Sequence, residues 1–219
     1  MKRTAIQTDF AHVTTWVFDL DNTLYPPEVR LFDQIERRMT AYVMRTLGIP
    51  EEAADRLRAD YWRLYGTTLA GLMQEHRIDP VPYLKDVHDI SFDQLRPDEG
   101  LMAAIARLPG RRIVYTNGSA PYAERVLAAR GLRQAFDAIY GVEHADFRPK
   151  PDQAAFETVF ARDGIDPARA AMFEDDVRNL AAPHRMGMRT VLVAPEAQPA
   201  PHIDHHTDDL GTFLARLVL

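Results

Sequence analysis

From Arg112 onward the chain alternates short β-rich apolar runs with helical stretches. That rhythm constrains the fold strongly, because strands joined through helices pair in parallel and put the helices on the sheet faces. Ile113-Val114-Tyr115 leads into Thr116-Asn117-Gly118-Ser119, and a helix is predicted over about 121–130, with Gly131 as its stop. Ala138-Ile139-Tyr140 is the next strand. A polar loop then ends at Lys150-Pro151, and a helix follows over about 152–162. Ala170-Ala171-Met172-Phe173 enters Glu174-Asp175-Asp176, and Thr190-Val191-Leu192-Val193 closes the series before Pro195. Far upstream, Trp16-Val17-Phe18 has the composition of a strand buried on both faces. The predicted fold is α/β, a doubly wound, Rossmann-like parallel sheet.

Between the first two strands the pattern changes. Leu31, Ile35, Met39, Tyr42, Val43 and Leu47 follow helical spacing, and Leu57, Tyr61 and Leu64 repeat it after the break at Gly48-Ile49-Pro50. This predicts a core from 1–26 and 97–219 and a helical cap from 27–96, with Pro26-Pro27 and Arg96-Pro97 as hinges. The charged run Glu51, Glu52, Asp55, Arg56, Arg58 and Asp60 reads as an exposed helix face with local pairs. The tail from Ala194 to His206 is expected to be surface loop, with a last helix over about 210–218.

Bulk numbers narrow the function classes. A chain of 219 residues with 46% hydrophobic content can bury a sizeable core, and no apolar run approaches a membrane span. The polar first fifteen residues and the absence of cysteine favour the cytoplasm. A net charge of −6 argues against binding a nucleic-acid polymer, whose partners cluster Lys and Arg, while a small phosphorylated ligand stays compatible. A monomer or homodimer is expected.

Asp19-Leu20-Asp21 follows the first strand directly, and on an extended backbone its two carboxylates share one side while Leu20 points the other way. Alone, the pair is an ordinary strand-end turn. In an open α/β sheet, however, ligands bind at the carboxyl ends of strands, where Asp19, Asp21, Thr116, Asn117, Glu174 and Asp175 all fall.

Taken in order, Asp19-Leu20-Asp21-Asn22-Thr23-Leu24-Tyr25, Thr116-Asn117-Gly118, Lys150-Pro151 and Phe173-Glu174-Asp175-Asp176 resemble the four motifs of the haloacid dehalogenase superfamily. The stretches from Asp19 to Pro26 and from Phe173 to Leu180 look like its pyrimidine 5′-nucleotidase branch, which hydrolyses nucleoside monophosphates. The resemblance implies a phosphomonoesterase acting on a small phosphate ester, with Asp19 as nucleophile and Asp21 as acid/base. The dehalogenating members lack that second aspartate, so its presence favours phosphoryl transfer. A sugar-phosphate or phosphoglycolate phosphatase, a sugar phosphomutase, and a non-catalytic phosphate-binding scaffold are the competing readings.

Charge alone demands help at such a site. A phosphate dianion approaching a carboxylate costs roughly 4 kcal/mol per pair of unit charges about 4 Å apart at an effective dielectric of 20. Mg²⁺ is the natural neutraliser, held by Asp19, Asp175 and the Asp21 backbone carbonyl, with Glu174 as a further candidate. The Lys150 ammonium adds a second positive charge, and the Thr116 hydroxyl with the Asn117 and Gly118 N–H groups would meet the phosphoryl oxygens.

Other residues read more plainly. Asp176 suits a helix N-terminus, Arg178 an ion pair beside the acidic loop, and Tyr61 the apolar stripe. Trp62 and Tyr65 are candidates for stacking on a ligand ring, whereas His202, His205 and His206 read as solvated loop rather than a metal site.

Overall fold

A computed structural model describes residues 4–217. Six strands, β1 (Thr15–Phe18), β2 (Arg111–Tyr115), β3 (Ala138–Tyr140), β4 (Ala170–Glu174), β5 (Arg189–Val193) and β6 (His205–Thr207), form one sheet in the order β3-β2-β1-β4-β5-β6. Every neighbouring pair is parallel. The chain winds outward from the centre in opposite directions, so the crevice between the carboxyl ends of β1 and β4 is the topological switch point.

Strand side chains alternate between two cores, as the period of two requires. Val17, Ile113, Tyr115, Met172 and Leu192 join one core with Phe156 and Phe160 of α8 (Gln153–Asp163) and Leu180 of α9 (Val177–Arg185). Trp16, Phe18, Val114, Phe173 and Val191 face the other. There they meet Phe10 after α1 (Ala5–Asp9), Ile105 of α6 (Glu99–Ala106), Val126 of α7 (Ala120–Ala129) and Phe213 of α10 (Leu210–Leu217). Side-chain caps start the helices where the sequence turns polar: Ser119 accepts the Tyr122 N–H at 3.4 Å and Asp152 accepts that of Ala154 at 2.9 Å. Among the described residues no helix is long and apolar enough to cross a membrane.

Between β1 and α6 lie four helices, α2 (Leu31–Leu47), α3 (Glu51–Tyr65), α4 (Thr68–His76) and α5 (Pro80–Val87). Gly71 lets α4 close on α3, since a Cβ there would sit 2.2 Å from Tyr61 Cγ. Glu52 and Arg56 pair on the exposed face of α3, but Arg58 departs from that expectation. Its side chain is 14% exposed and donates to Thr40 Oγ1 at 2.7 Å and Glu36 Oε1 at 3.3 Å, which ties α3 to α2.

The tail also differs from expectation. His205, His206 and Thr207 pair with Val191, Leu192 and Val193 as β6, so the segment extends the sheet. Its histidines are occupied: His206 Nε2 lies 2.7 Å from the Ala194 carbonyl, His202 Nε2 lies 2.9 Å from that of Val177, and the His205 ring packs on Phe10 and Phe213. Backbone pairing overrides polar composition here. The polar start likewise holds a short helix, α1, set by a reciprocal capping box between Thr4 and Gln7. Val218 lies outside the described residues.

The inserted helices meet the core at His88, the residue after α5. Its ring stacks on Tyr122 with centroids 4.3 Å apart and planes 9° apart, and its carbonyl accepts from Arg125 at 2.6 Å. Burial, helped by the Arg125 charge, lowers the imidazole to about 3, so the folded protein holds it neutral.

Two outcomes follow for stability. Below the unfolded value of about 6.5 the unfolded chain gains a proton that the folded chain refuses, so stability falls as pH drops towards 3. Urea unfolding at pH 7 and pH 5 should show the native chain losing about 2 kcal/mol more than a His88→Phe variant over that interval. Gly71→Ala gains about 1 kcal/mol of helix propensity but overpacks Tyr61 at a cost of about 1–3 kcal/mol, so the urea midpoint should fall.

Candidate active site

The carboxyl ends of β1, β2 and β4 bring together Asp19, Thr116, Glu174 and Asp175. Asp19 continues the pairing, its N–H donating to the Phe173 carbonyl at 2.9 Å, which sets it beside Glu174. Lys150 arrives from a loop with a cis peptide to Pro151 and is 1% exposed. Its ammonium donates to Asp19 Oδ1 at 2.6 Å, Glu174 Oε2 at 2.6 Å and the Tyr115 carbonyl at 3.1 Å. All three N–H bonds are used. Burial disfavours the ammonium, but Asp19 and Glu174 more than reverse that and raise its pKa, so Lys150 stays charged.

Asp19, Glu174 and Asp175 each offer an oxygen, and these oxygens lie within 4.8 Å of one another. One ammonium faces three carboxylates. Burial above all, then the Glu174 charge, pushes Asp19 up to about 8 and Asp175 up to about 9. An all-oxygen, over-negative cluster fits a hard divalent cation such as Mg²⁺. The cluster contains Glu174, and it does not contain the Asp21 carboxyl.

Asp19 and Asp21 both line the cleft as the Asp-x-Asp spacing implies, but the backbone turns at Asp21 instead of staying extended. The Leu24 N–H donates to the Leu20 carbonyl at 2.9 Å, so the chain enters a helical turn as soon as it leaves β1. Leu20 is still fully buried in the core. The turn carries Asp21 to the hydroxyls of Tyr25 and Tyr122, both donating to its Oδ1 at 2.6 Å. Burial raises the Asp21 pKa, while the two hydroxyls act against that. Neither tyrosine stood out in the sequence. Tyr25, four residues after Asp21, is what a helical turn would bring alongside it, whereas Tyr122 carried no signal at all.

The remaining site residues lock the loops. The Thr116 hydroxyl oxygen accepts the Gly118 N–H at 2.9 Å, so the N–H that the sequence suggested for a phosphoryl oxygen already has a partner in the protein. Gly118 is required by Tyr122, whose Cδ1 would lie 2.9 Å from an added Cβ. Asn117 grips the lysine loop twice, its Nδ2 donating to the Lys150 carbonyl at 3.1 Å and its Oδ1 accepting the Lys150 N–H at 2.8 Å. Asn22 Nδ2 donates to Asp175 Oδ2 at 3.3 Å.

Asp176 caps α9 by accepting the Arg178 N–H at 2.9 Å, and it also pairs with the Arg178 guanidinium at 2.6 Å. That guanidinium lies 3.5 Å from the centroid of the Trp62 ring, so the sequence candidate for ligand stacking already carries a cation on one face. Tyr61 is buried in the α3 core, and Tyr65 hydrogen-bonds Glu75. A cleft of about 1480 Å³ runs from Asp19, Asp21, Thr116 and Lys150 up to the inserted helices.

Comparison with known proteins finds relatives of the whole fold. Phosphate metabolism protein 8 of Saccharomyces cerevisiae is 27% identical over 80% of this chain, which spans 60% of that protein's length. The Fructose-1-phosphate phosphatase YqaB of Escherichia coli is 25% identical over 80% of this chain and 93% of its own. The crystal structure of CbbY from Rhodobacter sphaeroides in complex with phosphate shares the fold, with a TM-score of 0.62 at 22% identity over 94% of this chain and 99% of that one. A family model described as haloacid dehalogenase-like hydrolase matches residues 13–187, about four-fifths of the sequence and a span that contains the site above, and the chain therefore belongs to that family.

Proposed function

We propose that this chain is a Mg²⁺-dependent phosphomonoesterase that hydrolyses a small phosphate ester through an aspartyl-phosphate on Asp19. The observation that carries the reading is Asp19 itself, held between the Lys150 ammonium and the Glu174–Asp175 pair at the floor of the cleft. On this reading 1–26 and 97–219 form the phosphotransferase core, and the helices of 27–96 cap the strand ends.

Asp19 and Asp175, with Glu174 as a further ligand and the Asp21 backbone carbonyl beside them, would hold the metal, which would supply neutralisation of the phosphate dianion. Lys150 fixes Asp19 for in-line attack on phosphorus and offsets the charge that accumulates there. Thr116 accepts from Gly118 and keeps its own O–H to donate to a phosphoryl oxygen. The Asn117 backbone N–H donates no hydrogen bond among the described residues and serves the same end. Asp21 protonates the departing alkoxide and then takes a proton from the water that releases phosphate, a contribution on the order of 10² to 10⁴ in rate.

Two leaving groups have support. The motif residues Asp19 to Pro26 and Phe173 to Leu180 favour a pyrimidine nucleoside 5′-monophosphate. The relative named for fructose 1-phosphate, matched over nearly its whole length, favours a sugar phosphate.

Asp19→Asn should abolish phosphate release from p-nitrophenyl phosphate, and chelation of Mg²⁺ should do the same to the native chain. Full Mg²⁺-dependent turnover by the variant rejects the nucleophile. Phosphate release across CMP, UMP, fructose 1-phosphate and hexitol phosphates then ranks the leaving groups. CMP and UMP among the poorest substrates sinks the nucleotide assignment and keeps the reaction class, whereas no turnover of any ester across divalent metals points to a binding protein.

A further inference from the structure

We infer that Tyr25 and Tyr122 are positioning residues for proton transfer, and that Asp21 Oδ2 is the oxygen that carries the proton. This rests on the reading of Asp21 as acid/base. Both tyrosine hydroxyls donate to the same oxygen, Oδ1, at 2.6 Å, and both side chains are buried. Among the described residues no hydrogen bond reaches Oδ2, and Asp21 lines the cleft. Two donors on Oδ1 occupy its lone pairs and leave Oδ2 as the exchanging atom.

The donors come from separate elements, one from the loop after β1 and one from α7, so together they fix the rotation of the carboxyl as well as its place. Tyr122 is itself immobilised by the His88 ring stacked on it and by Phe92, 6.3 Å from its centroid. The carboxyl is thereby aimed before substrate arrives, which is what a positioned acid requires.

The proton balance is complete. As an Asp19 oxygen bonds to phosphorus, the P–O bond to the leaving group breaks and the Oδ2–H proton passes to the departing oxygen, leaving Asp21 as carboxylate. A water then attacks phosphorus and gives its proton to Oδ2, the Asp19–phosphorus bond breaks, and inorganic phosphate leaves with both aspartates restored.

The test compares kcat/KM for phenyl phosphate, whose leaving group needs a proton, with p-nitrophenyl phosphate, whose leaving group departs as the anion. Asp21→Asn should lower the phenyl phosphate value by about 10² to 10⁴ and affect the nitrophenyl ester far less. Tyr25→Phe and Tyr122→Phe should each lower the phenyl phosphate value about 10- to 100-fold while the nitrophenyl value stays within about twofold. Equal losses on both esters, or no loss on either, overturns the positioning role. If Asp21→Asn spares both esters, the acid/base reading itself fails, whatever the tyrosines do. Should either Phe variant not fold, His88→Leu keeps both hydroxyls and removes the ring that holds Tyr122. It should show the same selective loss at smaller size, and an unselective or absent loss again overturns the proposal.

Discussion

The site is organised around one buried ammonium. Lys150 bonds to the ends of β1, β2 and β4 at once, through Asp19, the Tyr115 carbonyl and Glu174. Each partner alone is expensive: desolvating an ion costs several kcal/mol even after relaxation, and removing one member of a buried pair costs about 3–5 kcal/mol. Together they are tolerable because all three ammonium hydrogens are matched. The doubly wound order makes this meeting possible, since β1 and β4 are neighbours only at the point where the winding reverses.

The same cluster is over-negative by construction. Three carboxylates face one ammonium, and burial first, with the Glu174 charge second, raises the pKa values of Asp19 and Asp175. A cation and a phosphoryl group change that balance in opposite directions, so a site of this composition is suited to hold both together. The loops around it spend their polar groups on one another. Asn117 grips the Lys150 backbone, Thr116 holds Gly118, and Asn22 holds Asp175. Rigidity of this kind keeps the acidic oxygens from relaxing apart.

Much of this was legible in the sequence, and the limits are physical. Val17, Ile113, Met172 and Leu192 share one core because strand alternation is local, which is why five of the strands could be read from apolar runs. The sixth could not, since His205-His206-Thr207 has no apolar pattern and is a strand only because β5 offers it an edge. Asp19, Thr116 and Glu174 were legible from their places at predicted strand ends, and Lys150, which sits on a loop, from its motif resemblance. The shared side of Asp19 and Asp21 was legible, since both line the cleft while Leu20 is buried, but the turn closed by the Leu24 N–H on the Leu20 carbonyl was not. Tyr122 was invisible because its partner is 101 residues away and its own helix gives it an ordinary core position.

The inserted helices hold the core unevenly. At the chain crossings Arg130, 7% exposed, donates to the Leu24 carbonyl at 3.2 Å and the Arg96 carbonyl at 2.5 Å and pairs with Asp98 at 2.8 Å, binding both connections to α7. The His88 stack on Tyr122 is also buried, and an aromatic pair is worth about 0.5–1.5 kcal/mol beyond its burial. At the cleft mouth the contact is Arg178 over Trp62, with Trp62 49% exposed, and an exposed cation–π pair is worth only about 0.5–1 kcal/mol. The Gly66 corner packs on Pro149 and Pro151 with no Cβ of its own to interlock. The mouth is thus the cheaper end to separate. The His88 stack on Tyr122, and with it the two hydroxyls that hold the Asp21 carboxyl, belongs to the buried and more strongly held contacts.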